Sequence, residues 1–383
     1  MTWHEVTLKQ ICYVDWGNTK LTKSSYVSSG PFLAVSAAGA DGWIGHYEHE
    51  ANVPVLSAIG AQCGRMFYPG ARFTAIKNTI TLTPKENVAD GKFLYYLFTH
   101  VELPQRGAGQ PFISKGDIEA FRVPIPESLE EQRKIVEKLD SAFAEIDLFE
   151  ENLEQSDEKV NQLIQSLLSE SYGSNMTKTA LQQEQSIGEI CEIGDGNHSS
   201  KYPTKNEMIS TGVPFIRAQN IVNGTVDDTD ILYISKQKHE TLRKGHLNTG
   251  DILITNRGEI GKLAIVPPKF QGSNLNSQIA WLRCGKAVRN SYLYYFLKSE
   301  SARRIFDSGT SGSALQQLTI SKLREIKVPI VSLSDQEAIV KKLDSVFAEI
   351  DSLRAQFKKD KSLAVSLRQS LLSSAFTQEE AVV

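Results

Sequence analysis

Two stretches of this chain carry apolar residues on a seven-residue beat. In the first, Val136, Leu139, Phe143, Ile146, Leu153, Val160, Ile164 and Leu167 fall at alternating steps of three and four, with Glu150 and Asp157 filling the gaps. In the second, Val340, Leu343, Phe347, Ile350, Arg354, Phe357, Lys361, Ala364, Arg368 and Leu371 keep the same steps. A seam of that period predicts a long helix packed along a helical partner. Each run covers about 42 residues, roughly 63 Å at 1.5 Å per residue, far beyond an ordinary globular helix. Ser128 with Glu131 and Ser334 with Glu337 offer capping boxes, and Pro126 and Pro329 stand where a helix cannot yet run. Elsewhere the pattern is shorter and mixed. Thr79 to Thr83 alternates like a half-buried strand. Asp251 to Ile254, Asn256 to Gly258 and Gly261 to Val266 read as strand, turn and strand. Phe93 to Phe98 and Tyr292 to Leu297 suit short buried helices, and Thr310 to Ser313 a small-residue loop.

The two seams are copies of each other. EQRKIVEKLDSAFAEID (Glu131–Asp147) returns as DQEAIVKKLDSVFAEID (Asp335–Asp351) at an offset of 204, and the register holds without a gap to QSLLS at Gln165–Ser169 and Gln369–Ser373. Val123-Pro124-Ile125 is echoed by Val328-Pro329-Ile330. The regions upstream echo more faintly. Ile80-Thr81-Leu82 with Phe93–Thr99 matches Ile279-Ala280-Trp281 with Tyr292–Lys298 at an offset of 199, and Leu8–Cys12 matches Ile187–Cys191 at 179. The chain is therefore read as one unit used twice, a variable globular part followed by a helix of constant length. The segments are 1–122 (first globular part), 123–172 (first helix), 173–327 (second globular part), 328–376 (second helix) and 377–383 (tail). The fold class expected is α+β: two mixed globular domains separated by two long helices pairing as a coiled coil, with an internal repeat.

Charge changes the picture by segment. The whole chain has 42 Lys and Arg against 45 Asp and Glu, net −3, which excludes a uniformly basic nucleic-acid binder. Residues 1–122 carry +1, 123–172 −9, 173–327 +6 and 328–383 −1. The acidic seam positions Glu150 and Asp157 correspond in the repeat to Arg354 and Lys361, with Glu151, Glu154 and Glu158 set against Lys358 and Lys359. Opposite charges at matched seam positions favour pairing of the two helices within one chain over self-pairing; the competing reading is two helices each packed on its own domain. Middle meets middle in either direction, so these charges leave parallel and antiparallel pairing open. Cys12, Cys63, Cys191 and Cys284 stand far apart with no CxxC pair, which argues against a zinc ribbon or disulfide framework. No apolar run approaches the length of a membrane span, and the first residues do not resemble a secretory signal, so a cytoplasmic setting is expected.

Catalytic motifs do not assemble. Val266-Pro267-Pro268-Lys269 lacks the flanking residues of a methyltransferase tetrapeptide. Gly258-x-x-Gly261-Lys262 has the wrong spacing for a phosphate loop and reads as a hairpin turn. His46-x-x-His49-Glu50 signals no third metal ligand, and Gly194-Asp195-Gly196-Asn197-His198 is too short for a cofactor loop. No catalytic or metal site is assigned. What remains is binding, because Arg, Lys, Asn and Gln are the side chains that read base edges. The second copy offers Asn197, His198, Lys201, Arg217, Gln219, Asn220, Arg257, Asn274, Asn276, Gln278, Gln316 and Gln317. The first offers Lys20, Lys23, Arg65, Lys77, Asn78, Arg106, Gln110 and Lys115.

The residues resemble the specificity subunit of type I restriction-modification systems over the whole chain. The resemblance rests on the duplicated proline and acid-glutamine pair before each long helix (Pro124 with Glu131-Gln132, Pro329 with Asp335-Gln336). It rests also on the loops Gly107-Ala108-Gly109-Gln110 and Gly312 to Gln317, and on the repeated Leu-Tyr-Tyr helix; Asp335 replaces the glutamate of the first copy. It implies that the globular copies are target recognition domains, each reading half of a split site in double-stranded DNA, with two different half-sites. The helices would be an antiparallel spacer that fixes the unread base pairs between them and docks partners. The chain would be non-catalytic, with no cofactor of its own. It would recruit two adenine methyltransferase subunits, which use S-adenosylmethionine, and then restriction subunits, which use ATP and magnesium. A coiled-coil adaptor without a DNA role, or a fused nuclease or methyltransferase, are the alternatives.

Overall fold

The computed structural model describes residues 2–107, 109–172, 183–196, 201–308, 310–311 and 317–377. The chain divides into two compact units, Met1–Glu154 with Phe357–Val383, and Gln155–Gln356. Each unit contains one globular copy and a part of each long helix.

The globular copies share one topology. In the first, a four-stranded antiparallel sheet runs Cys12–Trp16, Thr79–Pro84, Val55–Ser57, Met66–Phe67 in spatial order. A three-stranded sheet runs Gly39–Ile44, Phe32–Ser36, Phe73–Ala75, the last two parallel. A ribbon of Trp3–Thr7 on Arg122–Pro126 closes the domain. The second copy repeats this with Cys191–Asp195, Ile279–Cys284, Ile252–Thr255, Leu263–Ile265, then Leu232–Ile234, Val213–Ile216, Asn274–Leu275, then Gln183–Ser186 on Lys327–Ile330. It adds a hairpin (Ile221–Val222, Thr225–Val226), two helices (Lys236–Thr241, Glu300–Ser308) and a short ladder of Thr310–Ser311 on Gln317–Leu318. That ladder replaces the start of the expected 310–313 loop; the rest of that loop lies outside the described residues.

Two expectations need correcting. The strand Thr79–Pro84 is central, so Thr79 to Leu82 are buried on both faces rather than alternately. The copies also align one residue differently in this strand. Cys12 faces Pro84 and Cys191 faces Cys284, so Leu82 corresponds to Leu282 at an offset of 200, not 199. A one-residue slip reverses every face of a strand, and the ladder settles which register holds. The offset of 199 holds for the helices Gly91–His100 and Asn290–Lys298, where Phe93 and Tyr292 are both fully buried.

The long helices span Leu129–Tyr172 and Leu333–Phe376, 44 residues each. Ser128 Oγ accepts from the Glu131 amide at 3.2 Å. On the second helix the cap is Ser332, which accepts from the Asp335 amide at 3.1 Å, so the box expected at Ser334 is displaced by two residues; Ser334 already lies inside the helix. Beside each cap a glutamine is fully buried. Gln132 accepts from the Asp90 amide (2.9 Å) and donates to the carbonyls of Val88 (3.1 Å) and Pro126 (3.5 Å). Gln336 accepts from the Arg289 amide (2.9 Å) and donates to Ala287 (2.9 Å) and Val331 (3.0 Å). The glutamine of the repeated motif thus ties the long helix to the start of the buried helix, satisfying backbone groups that burial would otherwise strand. About two turns further along each long helix, Tyr96 donates to Asp140 (2.5 Å) and Tyr295 to Asp344 (2.6 Å).

Pairing is antiparallel in both units. In the first, Arg368 pairs with Asp147 and with Glu150 (3.0 Å), and Lys361 with Glu154 (3.5 Å). In the second, Arg354 pairs with Asp157 (3.2 Å) and donates to Asn161 (2.6 Å), and Lys342 pairs with Glu170 (3.2 Å). Partner numbers fall as the first helix ascends. The partners differ in detail from the expected set: Glu150 takes Arg368, and Glu154 takes Lys361 rather than Lys358 or Lys359. Leu139, Ile146, Leu153, Val160, Leu343 and Ile350 are buried in the seam, with Val136 in the first domain's core. Phe143, Val340, Phe347, Arg354 and Phe357 are half-buried, and Lys361 is exposed. Towards the C-terminal ends Leu168 and Leu372, not Leu167 and Leu371, are buried. An α-helix drifts about 20° per heptad from a strict seven-residue repeat, so the seam moves on by a residue. The helix ends then join the domain cores: Phe376 packs on Phe93 (5.4 Å between ring centres), and Tyr172 on Tyr292 (5.0 Å).

Candidate nucleic-acid interface

Antiparallel pairing gathers the variable loops of each copy at one end of its four-stranded sheet. In the first copy Trp16 faces Ile80 and Ser57 faces Thr79, so three segments meet there: the exit of Cys12–Trp16, the entry to Thr79–Pro84 and the turn after Ser57. In the second copy Asp195 faces Ala280 and Thr255 faces Ile279, which brings the equivalent three together. Both exits need glycine. A Cβ at Gly17 would lie 2.5 Å from the Ile76 carbonyl oxygen, and one at Gly196 1.9 Å from that of Asn276. The glycines of the Gly194 to His198 stretch are packing residues of this kind; Gly194 lies against Trp281.

A fourth segment joins this end. Residues 111–113 pack on the turn after Ser57 through Gly60 N–H to Pro111 O (2.9 Å) and Ile113 N–H to Ala58 O (2.8 Å). Leu318 N–H to Asn256 O (3.0 Å) does the same in the second copy. The segments that follow the glycine-and-glutamine stretches, Pro111–Ile113 and Gln317–Leu318, are therefore held beside the sheet end, each leading into the helix that precedes the closing ribbon; Ala108 and residues 312–316 lie outside the described residues.

The candidate readers divide by burial and by partner. In the first copy Lys23, Lys77 and Asn78 line one cavity of about 300 Å³ together with Ile59 and Gln62. Lys23 is held by Asp41 (2.5 Å). Burial alone would raise the Asp41 carboxyl, yet hydrogen bonds from Lys23, Tyr26 and Ser36 hold it below the usual range. Asn78 adopts φ 73°, a turn conformation asparagine tolerates. Arg65 lies over Phe67 and donates to Gln62 (3.2 Å). Arg106 is paired with Asp117, and Lys115 with Asp15 (2.9 Å). Lys20 and Gln110 are exposed.

In the second copy Arg257 and Gln317 are hydrogen-bonded (3.1 and 3.2 Å) when the Gln317 amide is turned to accept. Gln278 is exposed, its Nε2 3.8 Å from where a Cβ on Gly258 would stand. These three, from far-apart positions, share the sheet end. Lys201 is exposed. Arg217 and Gln219 both bind Asp230 (3.1 and 2.6 Å), a carboxylate that competes with any ligand for them. Asn220, Asn274 and Asn276 are 2, 0 and 5% exposed. Asn220 accepts from the Arg217 amide, Asn274 donates to the Lys244 carbonyl and Asn276 to Gln278. A base edge needs an exposed amide, so these three leave the candidate set. Asn197, His198 and Gln316 lie outside the described residues.

One feature escaped the sequence reading. Cys191 and Cys284 are cross-strand neighbours with sulfurs 3.8 Å apart, both free. The first copy has Pro84 at the facing position. His46 lies 3.5 Å from Glu48 while His49 stacks on Phe73, so the two histidines of the His46–Glu50 stretch are spent separately.

Against known proteins, the family described as "Type I restriction modification DNA specificity domain" matches residues 1–156 and again 182–359. The chain belongs to this family. The twofold match falls on the two copies just described. The EcoBI specificity subunit of Escherichia coli is 26% identical over 70% of this chain and 60% of its own length. The StySPI specificity subunit of Salmonella potsdam is 29% identical over 43% of this chain, and that match spans only 35% of the relative. The EcoDI subunit of Escherichia coli is 22% identical over 96% of this chain and 89% of its own. Among solved structures, a chain from work on complex assembly and conformational transition of the type I R-M system superposes with a TM-score of 0.74, at 18% identity over 98% of both chains. The HsdS subunit of Thermoanaerobacter tengcongensis gives 0.53 at 18% identity, over 98% of this chain and 97% of that one. These superpositions show the fold. Among the described residues no helix is long and apolar enough to cross a membrane.

Proposed function

We propose that this chain is the DNA-specificity subunit of a type I restriction-modification enzyme. Each globular copy reads one half of a bipartite site in double-stranded DNA, through the loops at the end of its four-stranded sheet. The observation that carries this is the repetition of that loop arrangement on one topology with different side chains: Lys77, Arg65 and Gln110 in one copy, Arg257, Gln278 and Gln317 in the other. Matching sheet scaffolds with different readers suit two different half-sites. The equal, gap-free length of the two helices suits a spacer, since a changed length would change the separation of the half-sites.

In this reading the chain is non-catalytic and holds no cofactor of its own. Two adenine methyltransferase subunits supply S-adenosylmethionine chemistry, and restriction subunits supply ATP- and magnesium-dependent cleavage. The −9 charge of residues 123–172 makes that helix a protein surface rather than a DNA surface. Coexpression with the companion methyltransferase in a methylation-free host tests the proposal, with modified adenines mapped genome-wide. Substituting Arg257 or Gln317 should alter one half of the modified motif and leave the other unchanged.

A further inference from the structure

The long helices are the most alike of the repeated segments in sequence, yet the two units differ at one point along them. On the first unit, Arg368 lies over the Phe143 ring (5.4 Å to its centre) and is neutralised by Asp147 and Glu150. At the offset of 204 the second unit keeps Phe347 and Asp351 but has Arg354 in place of Glu150. The residue that would match Arg368 is Ile164. Arg354 turns to Asp157 and Asn161. The cation over Phe347 is instead Lys298, 4.1 Å from the ring centre and 5.3 and 6.0 Å from those of Tyr294 and Tyr295. Among the described residues Lys298 makes no ion pair. Burial lowers its pKa below the ordinary lysine value, and Arg354 adds to this while Asp351 opposes it.

Lys298 borders a cavity of about 650 Å³ whose wall also includes Lys262, Arg303, Asn223 and Gln165. Gln165 Oε1 is buried there with no hydrogen-bond partner. A part-buried cation without a counter-ion and an acceptor without a donor are both costly left as they are. The first unit meets the equivalent demand with two carboxylates, Asp147 and Glu150. The second unit keeps only Asp351, which lines the same cavity without pairing to Lys298, and has Arg354 where the second carboxylate would stand.

We propose that this cavity receives an acidic side chain from a companion protein subunit, the carboxylate seated on Lys298 and the adjoining backbone N–H on Gln165. A carboxylate and an N–H side by side are what an acidic stretch of polypeptide brings, whereas a fully deprotonated inorganic anion such as sulfate brings acceptors alone. The missing group is chemically the glutamate that Arg354 replaced. This inference rests on the reading of the chain as a subunit of a larger enzyme, and it makes the two halves unequal: only the second unit holds its companion through this pocket.

The test uses the full-length chain with its companion methyltransferase, measuring subunits bound per chain by native mass spectrometry and affinity by titration. Lys298→Met keeps the stem on the rings and removes the charge. Lys298→Glu reverses it, and Arg303→Glu reverses an exposed charge on the wall. Wild type should bind two companions. Lys298→Met should weaken one of the two sites at least about tenfold, and Lys298→Glu and Arg303→Glu should each leave one companion bound, with thermal midpoints close to wild type. Two companions bound at unchanged affinity by all three variants overturn the proposal. So does a thermal shift of wild type by 10 mM free citrate that is lost in Lys298→Met while assembly is unaffected, which would make the cavity a small-anion site. If wild type binds no companion at all, the subunit reading itself fails and this inference with it.

Discussion

The buried glutamine of each repeat is the most direct handle on how helix and domain are coupled. Gln336 makes three hydrogen bonds of 2.9 to 3.0 Å with no solvent exposure. Gln336→Leu keeps the volume roughly constant and leaves no room for water, so the Arg289 N–H and the Ala287 and Val331 carbonyls lose their partner together. At about 1–3 kcal/mol for each of the three buried groups left unsatisfied, the local cost is about 3–9 kcal/mol. Gln132→Leu should cost less, because one of its three bonds is stretched to 3.5 Å. A chain of two units need not unfold in one step, so the readout should be local: hydrogen exchange of the Arg289 and Asp90 amides. Gln336→Leu should speed exchange at Arg289 by at least about a hundredfold, 1.4 kcal/mol being tenfold, and leave Asp90 unaffected; Gln132→Leu should do the converse, more weakly. Gln336→Glu adds a pH signature. A buried carboxylate facing two carbonyl oxygens has its pKa raised, so the variant is most stable below the ordinary glutamate value of about 4.3 and loses stability as pH rises through the folded value. Unchanged exchange at Arg289 in Gln336→Leu would refute the claim that this side chain couples helix to domain.

Other outcomes follow from the same structure. Arg368→Glu sets three carboxylates together and should lower the thermal midpoint of the first unit measurably, whereas Arg354→Ala, which removes a half-exposed pair, should cost only about 0–1 kcal/mol; equal effects would undo this ranking. Reversing Glu150 and Asp157 to lysine should loosen the helical pair, seen as faster proteolysis within residues 129–172. Burial pushes the Cys12 thiol up to about 12, so at pH 8 its thiolate fraction is on the order of 10⁻⁴, and iodoacetamide should label the half-buried Cys63 well before Cys12. The isolated chain, with a first domain of only +1, should bind its site weakly in physiological salt; nanomolar binding without partners would contradict that.

Periodicity and repetition revealed the architecture because both long helices bury one seam and share one length, and neither property depends on distant contacts. Direction did not follow from charge, since the charged clusters lie mid-helix; the ladder from Asp147 to Glu170 settles it. The cap at Ser332 was within reach, standing 204 residues after Ser128, but Ser334 with Glu337 imitates the same spacing. The strand register slipped by one because Ile80 and Ile279 look alike in sequence, whereas the cross-strand partners of Cys12 and Cys191 are set by pairing. The interface was the least legible part. Asparagine looks the same in a sequence whether it is exposed or satisfying buried backbone groups, so Asn220, Asn274 and Asn276 were counted as readers. The proximity of Arg257 to Gln317, or of Lys23 to Lys77, depends on which strand ends the sheet brings together, and that is a property of topology.

The central claim is that each globular copy reads its own half of a split DNA site. The most direct measurement expresses this chain with its companion methyltransferase in a methylation-free bacterial host and maps modified adenines across the genome, with each protein expressed alone as a control and Arg257→Ala as the variant. The account predicts a bipartite motif that appears only when both proteins are present, and that loses definition in one half alone in the variant. A stable complex with no motif, or a motif altered equally in both halves by Arg257→Ala, would contradict it.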